Sequence, residues 1–157
     1  EINGVHYHFV SREQFLKMAA DGDMLEYTEY NGNYYGTPRC FVEQQLQAGR
    51  DVILEIETKG ASQVQALCPQ ALMIFVMPPS LDALADRLAG RGTETGAERA
   101  GRLAAAAEEI RLADHYDFIV FNDDVVSARE QLLCAISAGR LLTRLNRKRI
   151  EEVLEIC

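Results

Sequence analysis

The feature that most restricts the fold of this chain is a change of pattern at Asp51. Beyond it come continuous apolar runs, Val52-Ile53-Leu54-Glu55-Ile56-Glu57, Ala71 to Met77 and Phe118 to Phe121, separated by segments with helical spacing. Strands buried on both faces read as unbroken apolar runs, and strand-helix alternation at this interval predicts a parallel sheet flanked by helices. The intervening helices are expected from Thr58 to Leu67, from about Leu81 to Leu88 after Pro78-Pro79-Ser80 closes the second strand, and from about Gly96 to Ala113. Thr95-x-x-Glu98 is a capping box for the last of these. Amphipathic helices from Val125 to Leu142 and from about Asn146 to Ile156 follow, with Leu132, Leu133, Ile136, Leu141 and Leu145 expected in the core.

Ahead of Asp51 the pattern is that of a small antiparallel sheet with helices. Val5 to Val10 alternates as a short strand, and Ser11 with Gln14 forms a capping box for a helix that ends before Asp21-Gly22. Met24 to Tyr30 and Asn33 to Gly36 read as a hairpin about Asn31-Gly32. Its return strand, Tyr34-Tyr35-Gly36-Thr37, sets phenols, a glycine and a hydroxyl side by side. Such a loop either presents side chains to a ligand or is a surface hairpin with half-buried tyrosines. Pro38 stands where a helix to about Gly49 would begin.

Bulk properties narrow the function. A length of 157 residues, 48% hydrophobic and 25% charged, fits one soluble globular domain. A net charge of -8 and a pI near 4.9 argue against a general nucleic-acid binder, which needs a basic face, while a few converging arginines can still hold a phosphorylated ligand. Cys40, Cys68, Cys134 and Cys157 lack metal-ligand spacing and read as buried or incidental thiols of a reducing compartment. No signal peptide or membrane-length apolar run is seen, so the expectation is a cytoplasmic protein with no membrane partner. The chain opens at Glu1 without methionine, as a trimmed piece of a longer protein would.

Chemistry is concentrated in a few places. Glu55, at the end of an apolar run, resembles the acidic strand end that helps hold magnesium in phosphate-transfer folds; alternatively it caps a strand toward solvent. Arg87 and Arg91 lie four apart, with Gly90 and Gly92 to let the loop move and Arg102 on the next helix. Guanidinium groups that close over a site suit phosphoryl transfer; a solvated face paired with Asp82, Asp86 or Glu94 is the alternative. His6 and His8, on one side of the expected strand, lack a third metal ligand. No nucleophile elbow is present, and Lys59-Gly60 lacks the glycine-rich run of a phosphate loop.

Glu1-x-x-Gly4-x-x-Tyr7-x-Phe9, Leu25-Glu26, Gly32-Asn33-Tyr34-Tyr35-Gly36-Thr37, Leu54-Glu55-Ile56-Glu57 with Gly60, Pro78-Pro79-Ser80, Arg91-Gly92-Thr93-Glu94-Thr95 and Asn122-Asp123 together resemble the guanylate kinase family from Glu1 to about Ala138. The resemblance implies an α/β fold: a P-loop nucleoside monophosphate kinase-like parallel sheet flanked by helices, a small antiparallel GMP-binding subdomain and a helical lid. As a single domain over 1–157, it would divide into a GMP-binding part at about 1–45 and a core at about 46–157, with the lid near 88–102. It implies phosphoryl transfer from ATP to GMP with Mg2+, and GMP and ATP as partners. Glu26 would accept from the guanine N1 and N2 edge, Thr37 beside Gly36 would bond O6, and Tyr7 and Tyr35 would donate to the GMP phosphate. Glu1 would orient arginines, Glu57 would line the guanosine pocket and Glu55 would act near magnesium. Arg87, Arg91 and Arg102 would embrace the transferred phosphoryl group. Two departures stand out: His6 replaces the usual aspartate before the tyrosine, and the phosphate loop that precedes these motifs in the family is not among these residues. The span Glu1–Cys157 alone is therefore expected to be inactive and poorly stable or aggregated, with unpaired sheet edges and an exposed apolar face. The alternative is a non-catalytic guanylate kinase-like module that recognises phosphorylated peptides.

Overall fold

Ser11 decides where the first helix starts. Its Oγ accepts from the Gln14 N–H at 3.1 Å, and Gln14 Oε1 accepts from the Ser11 N–H at 3.1 Å, completing the expected capping box. Helix α1 then runs Arg12–Ala20. The computed structural model describes residues 1–30, 32–89 and 96–155, which fall into two compact units, Glu1–Pro69 and Gln70–Cys157.

In the first unit, the expected strand over Val5 to Val10 does not form. Residues 4–6 make a turn, with Gly4 at φ 77° and a lone bridge between Asn3 and Tyr7. Local side chains satisfy the backbone instead: His6 Nδ1 accepts from the Ile2 N–H at 2.9 Å, and Asn3 Oδ1 accepts from the Phe9 N–H at 2.8 Å. His6 and His8 accordingly do not share a strand face.

The hairpin forms as β1, Met24–Tyr30, antiparallel to β2, Asn33–Pro38. Its turn residue Asn31 lies outside the described residues. The register pairs Glu26 with Thr37, Tyr27 with Gly36 and Thr28 with Tyr35. Because side chains alternate faces, Glu26, Thr28, Tyr30, Tyr35 and Thr37 share one face, and Tyr27, Glu29 and Tyr34 the other. Helix α1 covers the second face: Phe15 stacks on Tyr34 at 5.4 Å and meets Tyr27 edge-on at 6.1 Å, while the Arg12 guanidinium lies over the Tyr34 ring. The first face is left for a pocket.

Helix α2 spans Arg39–Gln47, with Pro38 as its cap, and Gly49 follows at φ 74°. The run Val52 to Glu57 is not a buried strand. No residue in it has a ladder partner among the described residues, and its side chains alternate between half-buried and exposed. One side only is packed, so the unbroken apolar pattern does not signal burial on both faces here. Helix α3, Thr58–Leu67, has the bounds the sequence predicts and buries Gly60, Ala61 and Val64.

The second unit contains the parallel pair. Strand β3, Ile74–Met77, is shorter than the expected Ala71 to Met77, and it pairs in parallel with β4, Phe118–Phe121. The shortening has a visible cause. Asp117 Oδ2 accepts from the Met73 N–H at 2.8 Å and from Arg144, whose guanidinium also donates to the Ala71 carbonyl at 3.3 Å, so side chains take up these two backbone groups before Ile74, while the Met73 carbonyl still accepts from the Asp117 and Phe118 N–H groups. Helix α4 runs Leu81–Ala89 and α5 runs Gly96–Ile110, giving way to a 3-10 turn over Arg111–His115 three residues short of the expected end. The Arg91 to Thr95 motif and the Thr95 cap lie outside the described residues. Helix α6, Val125–Gly139, is followed by a 3-10 turn at Thr143–Asn146 and by α7, Arg147–Glu155. Ala135 and Gly139 are the buried residues of α6, while Leu133 and Leu141 are exposed, contrary to expectation, because small residues carry the close packing. Cys40 and Cys134 are exposed and Cys68 is half-buried, so none of these three is the buried thiol that one of the two readings expected.

Candidate functional site

The open face of the β1–β2 ribbon and the segment ahead of α3 enclose a cavity of about 330 Å³ lined by Tyr7, Glu26, Thr28, Tyr30, Tyr35, Gly36, Thr37, Glu55, Ile56 and Glu57. This volume falls within the range of small-molecule sites. It lies wholly within the first unit.

Glu26 is the unusual member. It is 5% exposed, and a carboxylate at that depth needs specific partners. Its Oε1 accepts from the Thr37 hydroxyl at 2.6 Å, a contact set by their pairing across the strands. Its Oε2 lies against the first turn of α3, where a Cβ on Gly60 would stand only 2.6 Å away. Glycine at 60 therefore leaves room for the carboxylate. Gly36 is needed on similar grounds: a Cβ there would sit 2.6 Å from the Glu26 carbonyl oxygen and 2.7 Å from Tyr27 Cβ.

The phenols converge as well. The Tyr7 and Tyr35 rings meet edge-on at 6.0 Å, joining two residues 28 positions apart in sequence at one cavity wall. Glu55 and Glu57 also line the cavity, Glu57 serving as the cap residue of α3. Seven of the expected site residues, Tyr7, Glu26, Tyr35, Gly36, Thr37, Glu55 and Glu57, thus share one cavity. Glu1 is exposed and does not line it. Sequence reasoning missed Thr28, Tyr30 and Ile56. The first two follow from Glu26 by the two-residue period of a strand, and that signal was available.

Of the expected arginines, Arg87 at the end of α4 donates to the Asn122 carbonyl at 2.7 Å and the Asp123 carbonyl at 3.3 Å. These carbonyls, rather than Asp82 or Asp86, hold its guanidinium. Arg102 is exposed on α5, and Arg91 lies outside the described residues. Among the described residues no group of three or more His, Cys, Asp or Glu is arranged to enclose a metal ion. No helix among them is long and apolar enough to cross a membrane.

These observations define an α/β protein with an acid-lined pocket on one face of an antiparallel ribbon. The guanylate kinase family model matches residues 1–139. The chain is 46% identical over 156 residues to the guanylate kinase of Bacillus subtilis (strain 168), covering 99% of this chain and 76% of that one. It is 44% identical over 140 residues to that of Clostridioides difficile (strain 630), covering 89% and 68%. The crystal structure of guanylate kinase from Anaplasma phagocytophilum superposes with a TM-score of 0.72 at 29% identity, covering 96% of this chain and 77% of that one. The chain belongs to the guanylate kinase family.

Proposed function

We propose that this protein transfers a phosphoryl group from ATP to GMP, giving ADP and GDP, and that the cavity on the β1–β2 ribbon is the GMP site. The observation that carries this reading is the buried Glu26 carboxylate held against the Thr37 hydroxyl. A carboxylate accepts from both the N1–H and the N2 amino group of guanine, and the hydroxyl, turned away from Glu26, donates to O6. Adenine presents an unprotonated N1 at that edge, which leaves a buried acceptor facing another acceptor, and a site of this kind rejects the wrong base strongly. Glu57 completes the guanosine wall. The paired phenols of Tyr7 and Tyr35 donate to the GMP phosphate.

Arg87, Arg91 and Arg102 are assigned to the transferred phosphoryl group, where forked donors stabilise charge as it spreads over the equatorial oxygens. The Mg2+ that accompanies ATP fits the donor chemistry at Glu55. Magnesium takes one or two carboxylates and fills its remaining positions with water and phosphate oxygens, so it does not require an enclosing protein cluster. When bound, it neutralises phosphate charge; Glu55 contributes a hard oxygen acceptor on that side of the cavity. The curated relatives carry the name of the enzyme, which favours catalysis over a non-catalytic module for phosphorylated peptides.

The test is ADP formation in a coupled assay, on a chain extended upstream of Glu1 to include the family's phosphate loop, with GMP, IMP or AMP as acceptor. Turnover that depends on GMP and is not supported by AMP is the expected result. ATP consumption indifferent to the acceptor base, or no turnover with GMP, overturns the reading.

A further inference from the structure

Gln63 is absent from the cavity lining, yet its side chain makes two hydrogen bonds to the strand that carries Glu26. Its Nε2 donates to the Tyr27 carbonyl at 2.9 Å, and its Oε1 accepts from the Tyr27 N–H at 3.2 Å. A primary amide offers the same donor and acceptor as a peptide group, so Gln63 pairs with the outer edge of β1 as one residue of a third strand would. Tyr27 immediately follows Glu26. Gln63 therefore pins the peptide from which the base-reading carboxylate projects.

The position of Gln63 on α3 extends the argument. Gly60, three residues earlier and on the same side of the helix, makes room for Glu26 Oε2, and Glu57, three residues earlier again, caps the helix and lines the cavity. One rigid helix thus fixes Glu57 to Gln63, and the Gln63 amide fixes that helix to the Glu26 strand. The buried Ala61 and Val64 hold the helix in place but cannot set its registration along β1, since apolar contact is not directional. The two amide bonds can.

We infer that Gln63 is a positioning residue for base selection, setting the Glu26 carboxylate relative to α3 and to Glu57. The inference rests on the cavity being the GMP site. Gln63→Met keeps the length of the side chain and removes both hydrogen bonds, whereas Gln63→Glu keeps an acceptor for the Tyr27 N–H and loses the donor to its carbonyl.

The test is binding of GMP and of IMP, which lacks only the 2-amino group, by titration calorimetry on the wild-type protein and the Gln63→Met variant, both in the chain extended upstream of Glu1 to include the phosphate loop, with KM and kcat for both acceptors. Expected is about a tenfold loss of the GMP-over-IMP preference, carried by KM while kcat with GMP changes little. A preference that stays at the wild-type ratio, whatever happens to melting temperature or overall affinity, overturns the inference, because a merely structural role weakens both ligands alike. If Gln63→Met fails to fold, Gln63→Glu carries the same comparison. Wild-type protein that does not prefer GMP over IMP overturns the GMP-site reading, and the inference with it, independently of any variant.

Discussion

At the residue scale the pocket turns on a short contact between Thr37 and Glu26. Thr37→Val keeps the shape and deletes the donor, leaving a buried carboxylate with an unmade hydrogen bond. Urea unfolding should show a loss of about 1–3 kcal/mol, and GMP affinity should fall together with stability. A variant as stable as the wild type would mean that water replaces the hydroxyl at no cost. Much of this site was legible from residue types and order: Glu26, Tyr35, Gly36 and Thr37 stand in one short stretch, and resemblance added Tyr7 and Glu57. Gln63 was not legible, because a glutamine on a helix surface is ordinary and its value comes from the strand it happens to face. Gly60 shows the intermediate case. It stood in a recognisable motif, but the reason for glycine, the nearby Oε2 of Glu26, needed the fold.

At the scale of elements, periodicity located α1, α3, β4 and the hairpin closely, helped in α1 by its capping box and in the hairpin by its Asn-Gly turn. Two expected strands failed for different reasons. Val5 to Val10 is diverted by Gly4 and by the side chains of Asn3 and His6, and Val52 to Glu57 lacks a ladder partner among the described residues. Apolar runs report a tendency to be buried; hydrogen-bond partners decide whether burial takes the form of a strand. The shortened start of β3 makes the same point, because Asp117 and Arg144 take over backbone groups there. Asp117→Ala removes the acceptor for both Arg144 and the Met73 N–H. It should destabilise the protein by about 1–3 kcal/mol in urea unfolding and raise hydrogen exchange at the Met73 amide specifically. Unchanged exchange at that amide would count against the role given to the carboxylate.

At the scale of the whole molecule, two groups among the described residues give stability a dependence on pH at the alkaline end. Burial, aided by the charge of Glu109, raises the Tyr116 phenol above its ordinary 10.0, and the hydrogen bond and charge of Asp21 raise Lys17 above its ordinary 10.5. In both cases the folded state holds its proton to higher pH than the unfolded chain does. Their stabilisation is complete below the unfolded values and is lost as pH rises through the folded ones. Urea midpoints measured from about pH 8 upward should therefore hold and then fall past about pH 10, less steeply in Tyr116→Phe. Salt should weaken the surface Lys17 contribution while leaving the burial of Tyr116 untouched. An alkaline limb identical in wild type and Tyr116→Phe would show that the phenol is as hydrated in the fold as outside it. The strand register has a separate consequence for preparing the protein. A ribbon slipped by one residue would turn Tyr27 and Glu29 toward the cavity and hide Glu26, with almost no change in secondary-structure content. Circular dichroism would score such misassembled molecules as native, whereas retention on immobilised GMP would sort them, so the active fraction of a refolded batch is better counted by ligand capture than by spectroscopy.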